Sequence, residues 1–219
     1  MKKLLIIQHE NDVPPGSTLD WARLNNYDVE YWYPAEESPA PAPEKYSAVV
    51  ICGGSMDTFE EEKFPWLQTE KKFLRTLIDR KQKIFGICLG SQLIAEIMGG
   101  KVYIHNPGWE VGFVPLKTLD GGTLHAFHWH HCTFDLPPGA ELIATNDFCR
   151  NQAYRLGNNI IATQFHPEAT EEWIRECAEE VAPKHQGQVQ NKGQMLASMN
   201  LQKPQQDWFF QQLDRLFLE

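Results

Sequence analysis

Cys88 stands in the run Gly86-Ile87-Cys88-Leu89-Gly90-Ser91-Gln92, with a glycine two residues away on either side. The preceding Lys83-Ile84-Phe85-Gly86-Ile87 is short, apolar and partly β-branched, as a buried strand is. Leu89, Leu93, Ile94, Ile97 and Met98 recur at helical spacing, so the cysteine falls on the turn between a strand and a helix. In a G-x-nucleophile-x-G elbow that turn is sharp and strained, and the glycines let neighbouring backbone pass close while the side chain projects above the sheet. A thiol there meets free backbone N–H groups and the positive end of the helix dipole, both of which favour thiolate. A core cysteine after a strand would need neither glycine.

A base for that thiol is offered by Gln164-Phe165-His166-Pro167-Glu168, which follows the strand-like Asn159-Ile160-Ile161-Ala162-Thr163. Proline holds the preceding His166 in extended backbone, where residues i and i+2 face the same way. His166 and Glu168 can then share one face, the imidazole accepting the thiol proton and the carboxylate holding the ring's tautomer and its charged form. The expected catalytic set is Cys88, His166 and Glu168, with Glu110 the alternative source of the carboxylate.

Together the two segments resemble the class I glutamine amidotransferases, whose hallmarks are G-x-C-x-G-x-Q and, late in the chain, Q-F-H-P-E. The likeness continues through Gly53-Gly54-Ser55-Met56, Pro65-Trp66-Leu67, Glu110-Val111-Gly112-Phe113, His128-Trp129-His130 and Asn151-Gln152-Ala153-Tyr154, over about residues 45–175. The Trp-His form of the middle motif is most similar to stand-alone proteins resembling the amidotransferase domain of GMP synthase, some of which act as γ-glutamyl peptidases. That subgroup has Gly and an acidic residue where this chain has His131 and Cys132, which bears on substrate choice. The resemblance implies an oxyanion hole from the backbone N–H groups of Gly54 and Leu89 at the Gly53-Gly54 turn and the elbow. It also implies a substrate contact from Gln92 and a pocket-lining place for His130. An oxyanion donor is worth about 2.7–4 kcal/mol.

The chemistry implied is cysteine-dependent hydrolysis of a γ-glutamyl amide through a thioester, as in a glutaminase or γ-glutamyl peptidase, with no cofactor. Glutamine or another γ-glutamyl small molecule is the substrate, and a synthetase partner receiving ammonia is the alternative. A second alternative is a metal-binding module built on His125, His128, His130, His131 and Cys132. Strand alternation places His128 and His130 on one face and His131 on the other, and no second ligand pair has zinc-like spacing, so no metal is expected.

Composition fits a soluble enzyme. The 219 residues are 42% hydrophobic and 22% charged, with a formal net charge of −9 and no Lys/Arg stripe, which opposes a nucleic-acid surface. The apolar run after Met1-Lys2-Lys3 is too short for a signal-peptide core and reads as a first strand, and no membrane span is expected. Five cysteines in no repeating pattern argue against a disulfide framework and for a reducing, cytoplasmic setting.

Strand-like and helical runs alternate through the first half, which predicts an α/β fold: an open, mostly parallel sheet with helices on both faces, which the family resemblance implies is flavodoxin-like. Residues 101–164 lack a helical pattern and predict antiparallel additions to the sheet. Ser17 is the expected cap of a first helix and Thr170 that of a helix to about Ala182, while Glu70 lies on the apolar stripe of a helix from Trp66. Residues 183–203, rich in Gln, Asn and Lys, are expected to form a mobile loop. A last helix carries Trp208, Phe209, Leu213, Leu216 and Phe217 on one stripe. The whole, 1–219, is expected to be a single amidotransferase-like domain.

Overall fold

A computed structural model describes residues 2–219. In chain order the first half runs β1 (Lys2–Ile7), α1 (Thr18–Leu24), β2 (Tyr27–Trp32), β3 (Ala48–Ile51), α2 (Trp66–Asp79), β4 (Ile84–Ile87) and α3 (Leu89–Ile97). Strands then dominate: β5 (Val102–Ile104), β6 (Trp109–Thr118), β7 (Thr123–His130), β8 (Cys132–Phe134), β9 (Ala140–Thr145), β10 (Ala153–Leu156) and β11 (Ile160–Thr163). The chain continues through α4 (Glu171–Glu179), β12 (Gly187–Val189), α5 (Lys192–Ala197) and α6 (Gln202–Phe217).

One ten-stranded sheet has the order β12-β6-β9-β10-β11-β4-β3-β1-β2, with β7 also paired to β6. The strands β2, β1, β3, β4 and β11 are mutually parallel, and β9, β10 and β7 join antiparallel, as the loss of helical pattern after residue 100 implies. Strand alternation divides the core. Leu5, Ile7, Val49 and Ile51 pack under α2 and α3, while Leu4, Ile6, Ala48 and Val50 pack under α1 and α6. Helices therefore cover both faces, and Phe209, Leu213, Leu216 and Phe217 of α6 spend their stripe on the sheet. No helix among the described residues is long and apolar enough to cross a membrane.

Two local expectations are corrected. Ser17 makes no side-chain cap to α1; it is already in αR backbone (φ −66°, ψ −5°), and its N–H instead donates to the Glu168 carbonyl at 2.9 Å. Residues 183–203 are not a structureless loop, because their amides complete neighbouring elements. β12 pairs parallel with β6, the Gln190 side chain accepts from Phe113 N–H at 2.9 Å, and Asn191 and Gln194 form a capping box for α5. Thr170 caps α4 as its sequence predicts, accepting from Trp173 N–H at 3.3 Å.

Candidate active site

Four adjacent parallel strands, β1, β3, β4 and β11, end at the same edge of the sheet, where an open α/β sheet places its ligand crevice. The segments leaving that edge are His9-Glu10, Gly53-Gly54, Cys88 and Gln164-Phe165-His166-Pro167-Glu168. Distant stretches of sequence thus meet without any long excursion.

Cys88 adopts φ 49°, ψ −105°, a left-handed backbone that costs a non-glycine residue of order 1–3 kcal/mol and persists only where its surroundings enforce it. Here the Cys88 N–H is tied to the Thr163 carbonyl at 2.8 Å, and its carbonyl starts α3 by accepting from Ser91 and Gln92 N–H at 3.0 and 3.1 Å. Gly90 lets α3 lie on β3. A Cβ there would stand 2.7 Å from the Ile51 carbonyl oxygen and 2.8 Å from Ile51 Cβ. The N–H of Leu89, in the first turn of α3, has no intrahelical partner by the geometry of a helix start.

His166 Nδ1 lies 2.8 Å from Glu168 Oε1, and both residues are buried. The Cys88 thiol neighbours the same imidazole, while its own hydrogen-bond contacts are the Gln164 amide at 3.6 Å and the Trp129 carbonyl at 4.0 Å. Burial works against a charged ring, but the charges of Glu168 and Cys88 and their hydrogen bonds outweigh it, and the His166 pKa is pushed up to about 10. Gly53 completes the contact: a Cβ on it would be 2.8 Å from His166 Cε1 and 3.5 Å from Cys88 Cβ. Behind His166, its N–H donates to the Phe127 carbonyl at 2.8 Å, and Gln205 of α6 donates to its carbonyl at 3.3 Å.

The remaining predicted positions gather around Cys88. Gln92 is buried and donates to Gln164 Oε1 at 3.1 Å, and the Gln164 amide in turn faces Cys88 Sγ at 3.6 Å. Gly54, Gln92, His130, Cys88 and His166 line one cavity of about 340 Å³, walled further by Trp109, Trp129 and Trp173. Glu110 is not the partner of His166. It is buried on β6, with His130 Nε2 3.0 Å from one carboxylate oxygen, which also accepts from Gln152 at 2.6 Å, while Asn146 donates to the other at 2.7 Å. Burial opposes its charge, yet the neighbouring His128 and His130 and the Asn146 hydrogen bond keep its carboxyl well below the usual range.

The histidine cluster of the sequence does not converge. His125 is exposed, His128 and His130 turn inward to Glu110, and His131 and Cys132 meet Asp57. Among the described residues, the groups whose ligand atoms could hold a metal are therefore two separate trios, Glu110-His128-His130 and Asp57-His131-Cys132.

The parts played by His9, Glu70, Glu10 and Gln164 escaped the sequence reading. His9 places Nδ1 2.8 Å from the Gly53 carbonyl and Nε2 2.8 Å from Glu70 Oε1, with its ring stacked on Trp66. Burial alone would lower its pKa, but Glu70 and the Gly53 carbonyl raise it, and a ring facing two acceptors carries two protons. Glu10 fixes the other end of the turn, accepting from Ser55 N–H at 2.7 Å and Ser55 Oγ at 2.6 Å. In a trans peptide the N–H points opposite to the C=O, so holding the Gly53 carbonyl sets the direction of the Gly54 N–H. A carboxylate on the apolar stripe of α2 was the visible trace of Glu70; nothing local marks His9 or the role of Gln164.

A parallel sheet that presents a left-handed cysteine between strand and helix, lining one cavity with a histidine, places the chain among α/β proteins with a nucleophile-elbow architecture. Within that class it belongs to the class-I glutamine amidotransferase family, whose profile matches residues 22–174. The glutamine amidotransferase-like protein YfeJ of Salmonella typhimurium is 28% identical over 183 residues, covering 77% of this chain and 76% of that one. Gamma-glutamyl peptidase 5 of Arabidopsis thaliana is 28% identical over 152 residues, 63% of this chain and 60% of the peptidase. The crystal structure of a glutamine amidotransferase from Thermotoga maritima matches with a TM-score of 0.88 at 26% identity, covering 100% of this chain and 99% of that chain.

Proposed function

We propose that the protein hydrolyses a γ-glutamyl amide, with Cys88 as nucleophile, His166 as acid and base, and Glu168 as the carboxylate that orients and stabilises the imidazolium. The observation that carries this reading is the strained Cys88 lining one cavity together with His166, whose ring is paired in the interior with Glu168. Cys88 thiolate attacks the carboxamide carbon. The oxygen's negative charge is taken up by the N–H groups of Gly54 and Leu89, and the tetrahedral adduct collapses to a thioester as His166 protonates the departing ammonia or amine. His166, now neutral, takes a proton from the water that attacks the thioester, and the adduct collapses to release glutamate and the Cys88 thiolate beside a protonated His166. Gln92, through Gln164, holds the glutamine-like end of the substrate near the sulfur, and His130 lines the wall.

The test is turnover of glutamine and γ-glutamyl peptides by the purified chain. Cys88→Ser should lower kcat by about 10³-fold or more while the fold persists, because the hydroxyl is close in shape but far less ionised. His166→Ala should be more severe than Glu168→Ala, since the carboxylate acts only through the ring. Wild-type turnover in Cys88→Ser would end the assignment.

A further inference from the structure

We propose that Asp57, His131 and Cys132 bind a thiophilic divalent cation, zinc being the type, in the wall of the candidate active-site cavity, and that its binding inhibits turnover. The inhibitory part rests on the hydrolase reading; the binding does not. His131 Nε2 lies 3.3 Å from Asp57 Oδ1, Cys132 Sγ lies 3.1 Å from the same oxygen, and all three ligand atoms fall within 4.8 Å of one another. Tetrahedral zinc, with bonds of about 2.0–2.3 Å, spaces its ligands about 3.3–3.6 Å apart, so the two edges that meet at Asp57 need to change by only a few tenths of an ångström. Thiolate, imidazole and carboxylate together select zinc-like ions over magnesium or calcium.

Each ligand is held by different structure. Cys132 is buried at the start of β8, the His131 ring lies 4.5 Å from that of Trp109, and Asp57 N–H is tied to Glu60 at 2.9 Å. As described, the centre of the trio is filled by hydrogen bonds from the thiol and the imidazole to Asp57, which is the arrangement a metal replaces. On binding, the Cys132 S–H bond breaks, its proton leaves to solvent and a metal–sulfur bond forms. The imidazole coordinates neutral through Nε2 with its proton on Nδ1, and no oxidation state changes. Two negative ligands then balance the charge of the ion. The cavity reinforces this, since Glu10, Asp12, Glu176 and Glu180 line it against one lysine, Lys184, and such a cleft concentrates cations. Three protein ligands leave a coordination position open, and Cys88 and His166 line the same cavity. The other trio is unlike this one: the Glu110 oxygens are already taken by His130, Gln152 and Asn146 in the interior.

The test uses the metal-free full chain titrated with cobalt(II) as a spectroscopic stand-in for zinc. Wild type should develop a thiolate-to-cobalt charge-transfer band and intense tetrahedral d–d bands at one cobalt per chain, reversed by zinc or chelator. Cys88→Ser should keep the charge-transfer band, Cys132→Ser should lose it, and the half-exposed His131→Ala should bind about tenfold or more weakly. No band in wild type, or a band that survives Cys132→Ser and vanishes in Cys88→Ser, overturns the site. Zinc should then inhibit wild-type turnover reversibly, while Cys132→Ser and His131→Ala, each measured against its own metal-free rate, need about tenfold or more zinc. Equal inhibition of wild type and both variants overturns the inhibitory role. A cobalt band with no turnover of any γ-glutamyl donor would instead overturn the hydrolase reading and leave the metal site standing.

Discussion

In the proposed reaction, the proton that ammonia carries away is the one His166 holds at rest. Its pKa of about 10 sets the alkaline limit of acylation, because above that value the imidazole has no proton to give. We therefore expect kcat/KM to hold through weakly alkaline pH and to fall as pH rises through about 10; a fall centred near the ordinary histidine value of about 6.5 would show that Glu168 and Cys88 do not charge the ring. The His9–Glu70 pair makes a second residue-level prediction, since it acts on the Gly54 N–H only by holding the Gly53 carbonyl. His9→Phe should lower kcat by about 10²-fold, the cost of a misplaced oxyanion donor. His9→Asn, whose amide can still reach that carbonyl, should recover part of the loss. Alkylation of Cys88 by iodoacetamide forms no oxyanion and should proceed at the wild-type rate in both variants. If alkylation and turnover fall together, His9 supports the fold or the thiolate and not the donor.

The elbow joins β4 to α3 by bringing a helix backbone against the backbone of β3, and Gly90 is the residue that permits it. Gly90→Ala drives a methyl into the Ile51 carbonyl and side chain, so α3 must lift or tilt. We expect about 1–3 kcal/mol of lost stability, read as a lower urea midpoint, together with a fall in kcat at saturating donor; intact activity in a destabilised protein would show that the elbow tolerates the shift. This element was legible in the sequence because its requirements are local: a β-branched strand, two glycines and a helical stripe within a few residues. The parallel core and the antiparallel run after residue 100 were legible for the same reason, as periodicity is a property of neighbours in sequence. The pairings that position the site were not. His9 meets Glu70, and Gln92 meets Gln164, through contacts that exist only once β1, β3, β4 and β11 lie side by side. Residues 183–203 misled in the opposite direction, because Gln190, Asn191 and Gln194 spend their amides on β6 and α5, whereas the same composition without those acceptors would describe a loop. The Ser17 cap failed because the segment before α1 is bent to put its backbone N–H on the Glu168 carbonyl, a tertiary demand that overrides a local preference.

At the scale of the whole molecule, the question is whether this chain acts alone or only beside a synthetase. Every group the proposed reaction uses comes from one sheet edge: Cys88 after β4, His166 and Glu168 after β11, Gly54 after β3 and Leu89 at the start of α3. The groups that hold them are equally internal, with Gln205 of α6 on the His166 carbonyl, Ser17 on the Glu168 carbonyl and His9 on Gly53. The reaction as proposed thus draws every group from this chain and none from a partner. We therefore expect the isolated chain to hydrolyse a γ-glutamyl donor, with a rate linear in protein concentration and undiminished by a metal chelator. The measurement is ammonia or amine release from glutamine and γ-glutamyl peptides across about a hundredfold range of protein concentration, with and without chelator, beside Cys88→Ser. Upward curvature would mean that the active form is an assembly. Silence on every donor until a synthetase is added would make the chain an ammonia-delivering subunit, and loss of activity on chelation would turn the Asp57-His131-Cys132 trio from an inhibitory site into a required one.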